Sequence, residues 1–94
     1  MKEDIFFKCL GEENRLQILK VVGNDEKCVN EIVESLKKEQ SLVSHHLRIL
    51  KDCGLVQSRQ AGKKIMYKVS DPRIMELIKR SKTLAEQLEG ECKC

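Results

Sequence analysis

Aromatic residues are scarce in this chain: no tryptophan, one tyrosine and two phenylalanines among 94 residues. Leu, Ile and Val must therefore make most of the core. A chain this short buries only a thin core, so a partner chain is an expected source of stability. No apolar run reaches the roughly 20 residues that span a bilayer, and no secretion signal is recognisable. The cytoplasm is the expected compartment, with no membrane partner. A phosphate-cradling glycine loop is missing, as is a nucleophile with a base beside it. There is also no Cys-x-x-Cys opening a helix beside a parallel-sheet pattern, which argues against a thiol reductase. The chain is not expected to be an enzyme. Without repeats, low-complexity stretches or linkers, residues 1–94 read as a single domain.

Charge is informative by its placement rather than its total. The net value is only +3. Residues 41–68 hold Arg48, Lys51, Arg59, Lys63, Lys64 and Lys68 against Asp52 alone, a net +5 that leaves −2 for the remainder. A basic central third in an otherwise acidic chain is the electrostatic footprint that phosphate binding requires. Five cysteines are present, at positions 9, 28, 53, 92 and 94. The odd count and the missing secretion signal argue against a disulfide framework. Reduced thiols in such a chain are buried hydrophobes, metal ligands or redox sensors.

The chain is organised around residues 39–56, EQSLVSHHLRILKDCGLV. Val43, Leu47 and Leu50 recur at i, i+4 and i+7 and predict a helix over about 41–53. Ser41, Ser44, His45, Arg48 and Asp52 fall on its other face, which carries hydrogen-bonding groups and cations and no large apolar residue. Gly54 is placed to end the helix in a left-handed conformation. A polar-faced helix just before a strand pair is what a winged helix-turn-helix protein lays in the DNA major groove. A solvated amphipathic helix would show the same pattern, and so would a protein–protein module on the same fold.

The flanking segments favour the DNA reading. Residues 3–10 predict a short helix with Ile5, Phe6, Cys9 and Leu10 on one side. Residues 12–22 predict a second, with Leu16, Leu19 and Val22 as its buried stripe. Val29, Ile32, Val33 and Leu36 predict a third, with Cys28 at or near its N-cap, where Ser or Thr would be ordinary. After Gly54 the period changes from 3.6 to 2. A hairpin is expected over about 55–70, with Ile65, Tyr67 and Val69 sharing one face and Ala61–Lys64 as its basic turn. Asp71 and Pro72, the only proline, are placed as N-cap and first residue of a last helix over about 72–89. Its stripe of Ile74, Leu77, Ile78, Leu84 and Leu88 is a candidate dimer surface. Residues 90–94 form a short cysteine-bearing tail. The fold expected is mainly α with a β-hairpin wing.

This order resembles the ArsR/SmtB family of small dimeric metal- and metalloid-responsive repressors. LGEENRLQILKVV is similar to the family's second-helix signature, QSLVSHHLRILKDCGLV to its recognition helix and AGKKIMYKVS to its wing. The resemblance implies that Gln40, Ser41, Ser44 and His45 approach base edges, and that Arg48, Arg59, Lys63 and Lys64 meet phosphates. It implies a homodimer, built by the first and last helices, on an imperfectly palindromic duplex operator. No cofactor is expected for DNA binding itself. The chemistry of the residues agrees, since Ser and Gln both donate and accept and His45 can donate to a base or a phosphate. His45-His46 is a weak metal signal, because adjacent helical residues point about 100° apart. His46 is expected at the edge of the core.

Family members differ in where they hold an effector. One class uses His and carboxylates on the last helix, and residues 72–94 contain no His. A second uses a Cys-Val-Cys box at the start of the third helix; here it reads Cys28-Val29-Asn30, which leaves Cys28 a lesser candidate. A third joins cysteines on the recognition helix to one in the C-terminal tail. Here Cys53 matches one helix position, Ile49 occupies the other, and Cys92 and Cys94 could make up the count. The implied site is Cys53 with Cys92 and Cys94, within or between subunits, and three thiolates suit Cd(II), Pb(II) or As(III). A redox or reactive-sulfur sensor acting through cysteine oxidation is the alternative.

Overall fold

The computed structural model describes residues 1–88. Five helices, α1 (Glu3–Leu10), α2 (Glu13–Val22), α3 (Val29–Leu36), α4 (Gln40–Asp52) and α5 (Pro72–Leu88), surround a small sheet. The sheet comprises β1 (Lys27–Cys28), β2 (Val56–Ala61) and β3 (Lys64–Val69), in the antiparallel order β1-β3-β2. The expected elements are all present. The addition is β1, whose Lys27 and Cys28 pair with Tyr67 and Met66. Two residues carry no alternation to read, and their hydrogen-bonding partners lie about forty positions downstream. The expected tail at 90–94 lies outside the described residues.

The helices are bounded by recognisable chemistry. Glu12 caps α2, its Oε2 accepting from the Arg15 backbone N–H at 2.9 Å. Cys28 occupies the N-cap of α3, where its backbone N–H donates to Glu31 Oε1 at 3.1 Å. Asp71 opens α5 by accepting from the Arg73 N–H at 2.8 Å. The end of α4 is a Schellman closure: Gly54 N–H donates to Lys51 O and Leu55 N–H to Leu50 O, both at 2.9 Å. Gly54 has φ +79°, so the chain turns sharply from helix into β2.

Ile18, Leu19, Val22, Ile32, Val43, Leu47, Leu50 and Leu55 are fully buried at the junction of α2, α3, α4 and β2. Two expectations about faces need correction. On α2 it is Ile18, 1% exposed, that completes the core with Leu19 and Val22, while Leu16 is only partly covered. On β3 Val69 is buried and Tyr67 half-buried, but Ile65 is 48% exposed because the hairpin tip projects past the last helix able to cover it. Likewise Leu84 and Leu88 of α5 stay exposed, whereas Ile78 is buried.

The Gly54 closure makes a testable point. No atom lies within 4 Å of the position a Cβ would take there, so Gly54→Ala adds only backbone strain. It is expected to destabilise the fold by about 1–2 kcal/mol. Urea unfolding should show a lower midpoint with an unchanged slope, and Gly54→Asn should restore part of the loss.

Candidate nucleic-acid interface

One face of α4 is used up by packing. Val43, Leu47 and Leu50 are completely buried against α2 and α3, and His46 is 8% exposed. The same rotation leaves Gln40, Ser41, Ser44, His45 and Arg48 in solvent. Every helix residue expected to approach DNA is therefore on the outer surface of α4, and the residues alternating with them hold the helix down. The N-cap residue, Glu39, makes no side-chain bond to the first turn, which contains no acidic residue. Its backbone N–H groups, at the positive end of the helix dipole, are open to an anion.

The adjacent histidines diverge, as their spacing requires. His45 is exposed and meets the His46 ring edge-on at 5.2 Å. His46 Nδ1 lies 3.4 Å from Arg15 Nη1 and 3.7 Å from Glu12 Oε2. Burial lowers the His46 pKa and Arg15 lowers it further, against the opposing pull of Glu12. Because a guanidinium can only donate, Nδ1 is the acceptor in the contact with Arg15. Arg15 also donates to the Cys9 carbonyl at 2.7 Å. This one guanidinium thus ties the end of α1 to α2 and α4. Lys38 Nζ donates to Asn14 Oδ1 and fastens the turn before α4 onto α2.

The wing presents its charges unevenly. Lys63 and Lys64 are exposed at the tip, where Gly62, with φ +64°, and Lys63 make a two-residue turn between Ala61 and Lys64. Only the first turn residue has positive φ, the pattern of a type II′ hairpin. Arg59, by contrast, is held by Glu26, its Nε and Nη2 donating at 2.5 and 2.8 Å. That bidentate bond depresses the Glu26 pKa and raises that of Arg59. Glu26 thus competes with any phosphate for Nε and Nη2 of Arg59, while Nη1 carries further donors. Neither Glu26 nor Arg15 was singled out by periodicity, because both act through partners distant in sequence.

The cysteines separate into two environments. Cys28 is buried at the start of α3. Cys53 is partly buried at the C-cap of α4, and Cys9 is buried near the end of α1; Cys9 belongs to the main apolar cluster and Cys53 packs against it. Burial first, and then the neighbouring Cys53 thiol, push the Cys9 thiol up to about 12, against the opposing pull of the Arg15 guanidinium. Cys92 and Cys94 lie outside the described residues, so their expected meeting with Cys53 is not part of this geometry. Among the described residues no three His, Cys, Asp or Glu side chains gather as a metal site. None of the described helices is long and apolar enough to cross a membrane.

On the outer side of the molecule, α1 and α5 leave Ile5, Phe7, Leu84 and Leu88 exposed. A groove of about 410 Å³ runs between these helices, lined by Phe7, Leu10, Leu16, Ile78 and Ala85.

A polar-faced helix held at the edge of a small core, followed by a hairpin with a cationic tip, defines a winged helix-turn-helix protein. Residues 12–58 match the model of the bacterial regulatory protein arsR family. The chain belongs to that family. It is 45% identical over 74 residues to an uncharacterized HTH-type transcriptional regulator, MJ1325, of Methanocaldococcus jannaschii, covering 78% of this chain and 83% of the relative. It is 37% identical over 89 residues to a probable mercury resistance operon repressor of Streptomyces lividans, covering 95% of this chain and 71% of that one. Among solved structures it resembles the homodimeric winged helix-turn-helix DNA-binding domain of Mb0332 from Mycobacterium bovis. The TM-score is 0.75 at 28% identity, over 85% of this chain and 74% of that one. These relatives and this fold are those of DNA-binding transcriptional regulators, not enzymes, and regulators of this family are homodimers.

Two expected outcomes follow from the side-chain pairs. His46 binds its proton less readily when folded than when unfolded, so its contribution to stability is complete above pH 6.5 and is lost as pH falls toward the lowered folded value. Thermal midpoints between about pH 7 and pH 5 should decline for the parent and decline less for His46→Gln. Freeing Arg59 with Glu26→Gln should raise duplex affinity severalfold. The slope of log K against log salt should steepen by about 0.9, one more phosphate neutralised. An unchanged slope would mean that Arg59 lies away from the backbone.

Proposed function

We propose that this chain is a homodimeric repressor that leaves its operator when a thiophilic metal or metalloid ion is bound by cysteines. The observation that carries the DNA half is the outer face of α4. Ser41, Ser44, His45 and Arg48 stand together in solvent, with Gln40 at the helix start and the Lys63-Lys64 tip beyond. Gln40, Ser41, Ser44 and His45 read base edges, while Arg48, Lys63, Lys64 and, once released from Glu26, Arg59 meet phosphates. Two copies joined through α1 and α5 present two such helices to the half-sites of an imperfect palindrome. The exposed Ile5, Phe7, Leu84 and Leu88 are the apolar surface such a joint would cover. A DNA operator as partner supports a cytoplasmic location.

The effector half rests on Cys53, partly buried at the end of the DNA-reading helix, and on similarity to a mercury resistance operon repressor. Cys53 with Cys92 and Cys94 supplies three thiolates for Cd(II), Pb(II) or As(III). Tying the tail to the C-terminus of α4 would disfavour the separation of the two recognition helices that the operator requires. Coupling of about 1–3 kcal/mol is the usual scale for such linkage.

Operator binding tests both halves. Ser44→Ala or His45→Ala should each cost about 1–3 kcal/mol on the specific site, with little effect on random duplex. Lys63→Ala/Lys64→Ala should weaken both and flatten the salt slope by roughly 2. Cd(II) or arsenite should release the parent, and Cys92→Ser/Cys94→Ser should not respond. A double variant that responds as the parent does removes the tail from the site.

A further inference from the structure

Arg15 is the side chain through which α1 and α4 are hydrogen-bonded to one another. It stands in the first turn of α2 and is half-buried. The last carbonyls of an α-helix have no partner inside it. In α1 two of them accept from Arg15, Cys9 O from Nε at 2.7 Å and Lys8 O from Nη2 at 3.4 Å. A cation there also suits the negative end of the helix dipole. The remaining arm, Nη1, lies 3.4 Å from His46 Nδ1 on α4. Glu12 Oε2, 3.7 Å from the same nitrogen, accepts from the Arg15 backbone N–H at 2.9 Å. Among the described residues no other side chain is hydrogen-bonded to both α1 and α4. A guanidinium is planar with its donors in fixed directions, so its acceptors hold the two helices in one relative pose. His46 sits between His45, on the outer face, and Leu47, in the core. A displacement at His46 is therefore carried directly to the reading face.

We propose that Arg15 is a positioning residue for operator recognition: by fixing α4 to the end of α1, it sets the half-site spacing that the dimer accepts. This inference rests on the DNA reading and on a dimer joined through α1 and α5. In that dimer α1 lies at the joint and α4 at the duplex. The separation of the two reading faces is then fixed only as well as α4 is fixed to α1. Apolar packing decides which face of α4 is buried, but such contact is non-directional. The Arg15 fork has both direction and length. Moving one half-site by one base pair displaces it by about 3.4 Å and turns it by roughly 35°. Even shared between two subunits, a shift of that size breaks hydrogen bonds as short as these.

The test begins with the full-length parent, which selects its duplex from a random library. The half-sites are then moved apart or together by one base pair, and the parent, Arg15→Lys, His46→Leu and His46→Asn are titrated on each duplex. Arg15→Lys keeps the charge and loses the fork. His46→Leu leaves the bonds to α1 intact and removes the acceptor on α4. His46→Asn puts an amide oxygen close to the place of Nδ1. The parent should prefer its own spacing. That preference should shrink roughly tenfold in Arg15→Lys and in His46→Leu, the scale of one hydrogen bond to a charged group. It should return in part with His46→Asn. Affinity for random duplex should not change, because the phosphate contacts are untouched. Urea unfolding of each variant separates stability from spacing. Lower stability with the parent's spacing preference would leave Arg15 a structural role only and overturn the proposal. So would a loss of affinity equal on every duplex, or a parent indifferent to spacing. Should Arg15→Lys not fold, His46→Leu decides alone. A parent that selects no duplex removes the DNA reading itself. A parent that selects one, beside variants sharing its spacing preference, removes only this role of Arg15.

Discussion

The burial of one face of α4 against α2 and α3 is the constraint on which the molecule depends. Val43, Leu47 and Leu50 are withdrawn completely from water, each contributing about 1.5–3 kcal/mol of transfer free energy. Because a helix is a rigid rod with 3.6 residues per turn, fixing that stripe also fixes where Ser41, Ser44, His45 and Arg48 project. The core does not merely stabilise the reading face; it aims it. A helix free to roll by one residue would turn His46 outward and Ser44 inward.

Around that rod the polar contacts are arranged to hold position rather than to add much stability. Arg15 spans the Cys9 carbonyl and His46, and Lys38 pins the preceding turn to Asn14. The Schellman closure at Gly54 sets the angle at which the chain leaves the helix for the wing. The exposed Arg59–Glu26 pair is of the kind that adds little to stability, but it occupies a cation that a phosphate could otherwise use. Position of the helix, exit angle of the hairpin and availability of its charges are thus set by different residues.

Both ends of the chain bear on how such a protein could respond. The exposed apolar residues of α1 and α5 suit a second copy, and Cys53 closes α4 at the edge of the same apolar cluster that holds Cys9 of α1.

Periodicity and capping chemistry made the helices, the hairpin and the outward set on α4 legible from residues alone, because those features are local and repeat at fixed spacing. Cys28 at the N-cap of α3 and Asp71 at the start of α5 could be placed for the same reason. What escaped was non-local. β1 exists because β3 supplies its hydrogen bonds, and Ile18 is buried because α3 and α4 converge on it. Arg59 is engaged because the turn before β1 brings Glu26 beside it. The sequence by itself determined that α4 carries one apolar and one polar face. Only the tertiary structure decided which opposite charges meet, because such pairings depend on how separate elements pack and leave no period in the chain.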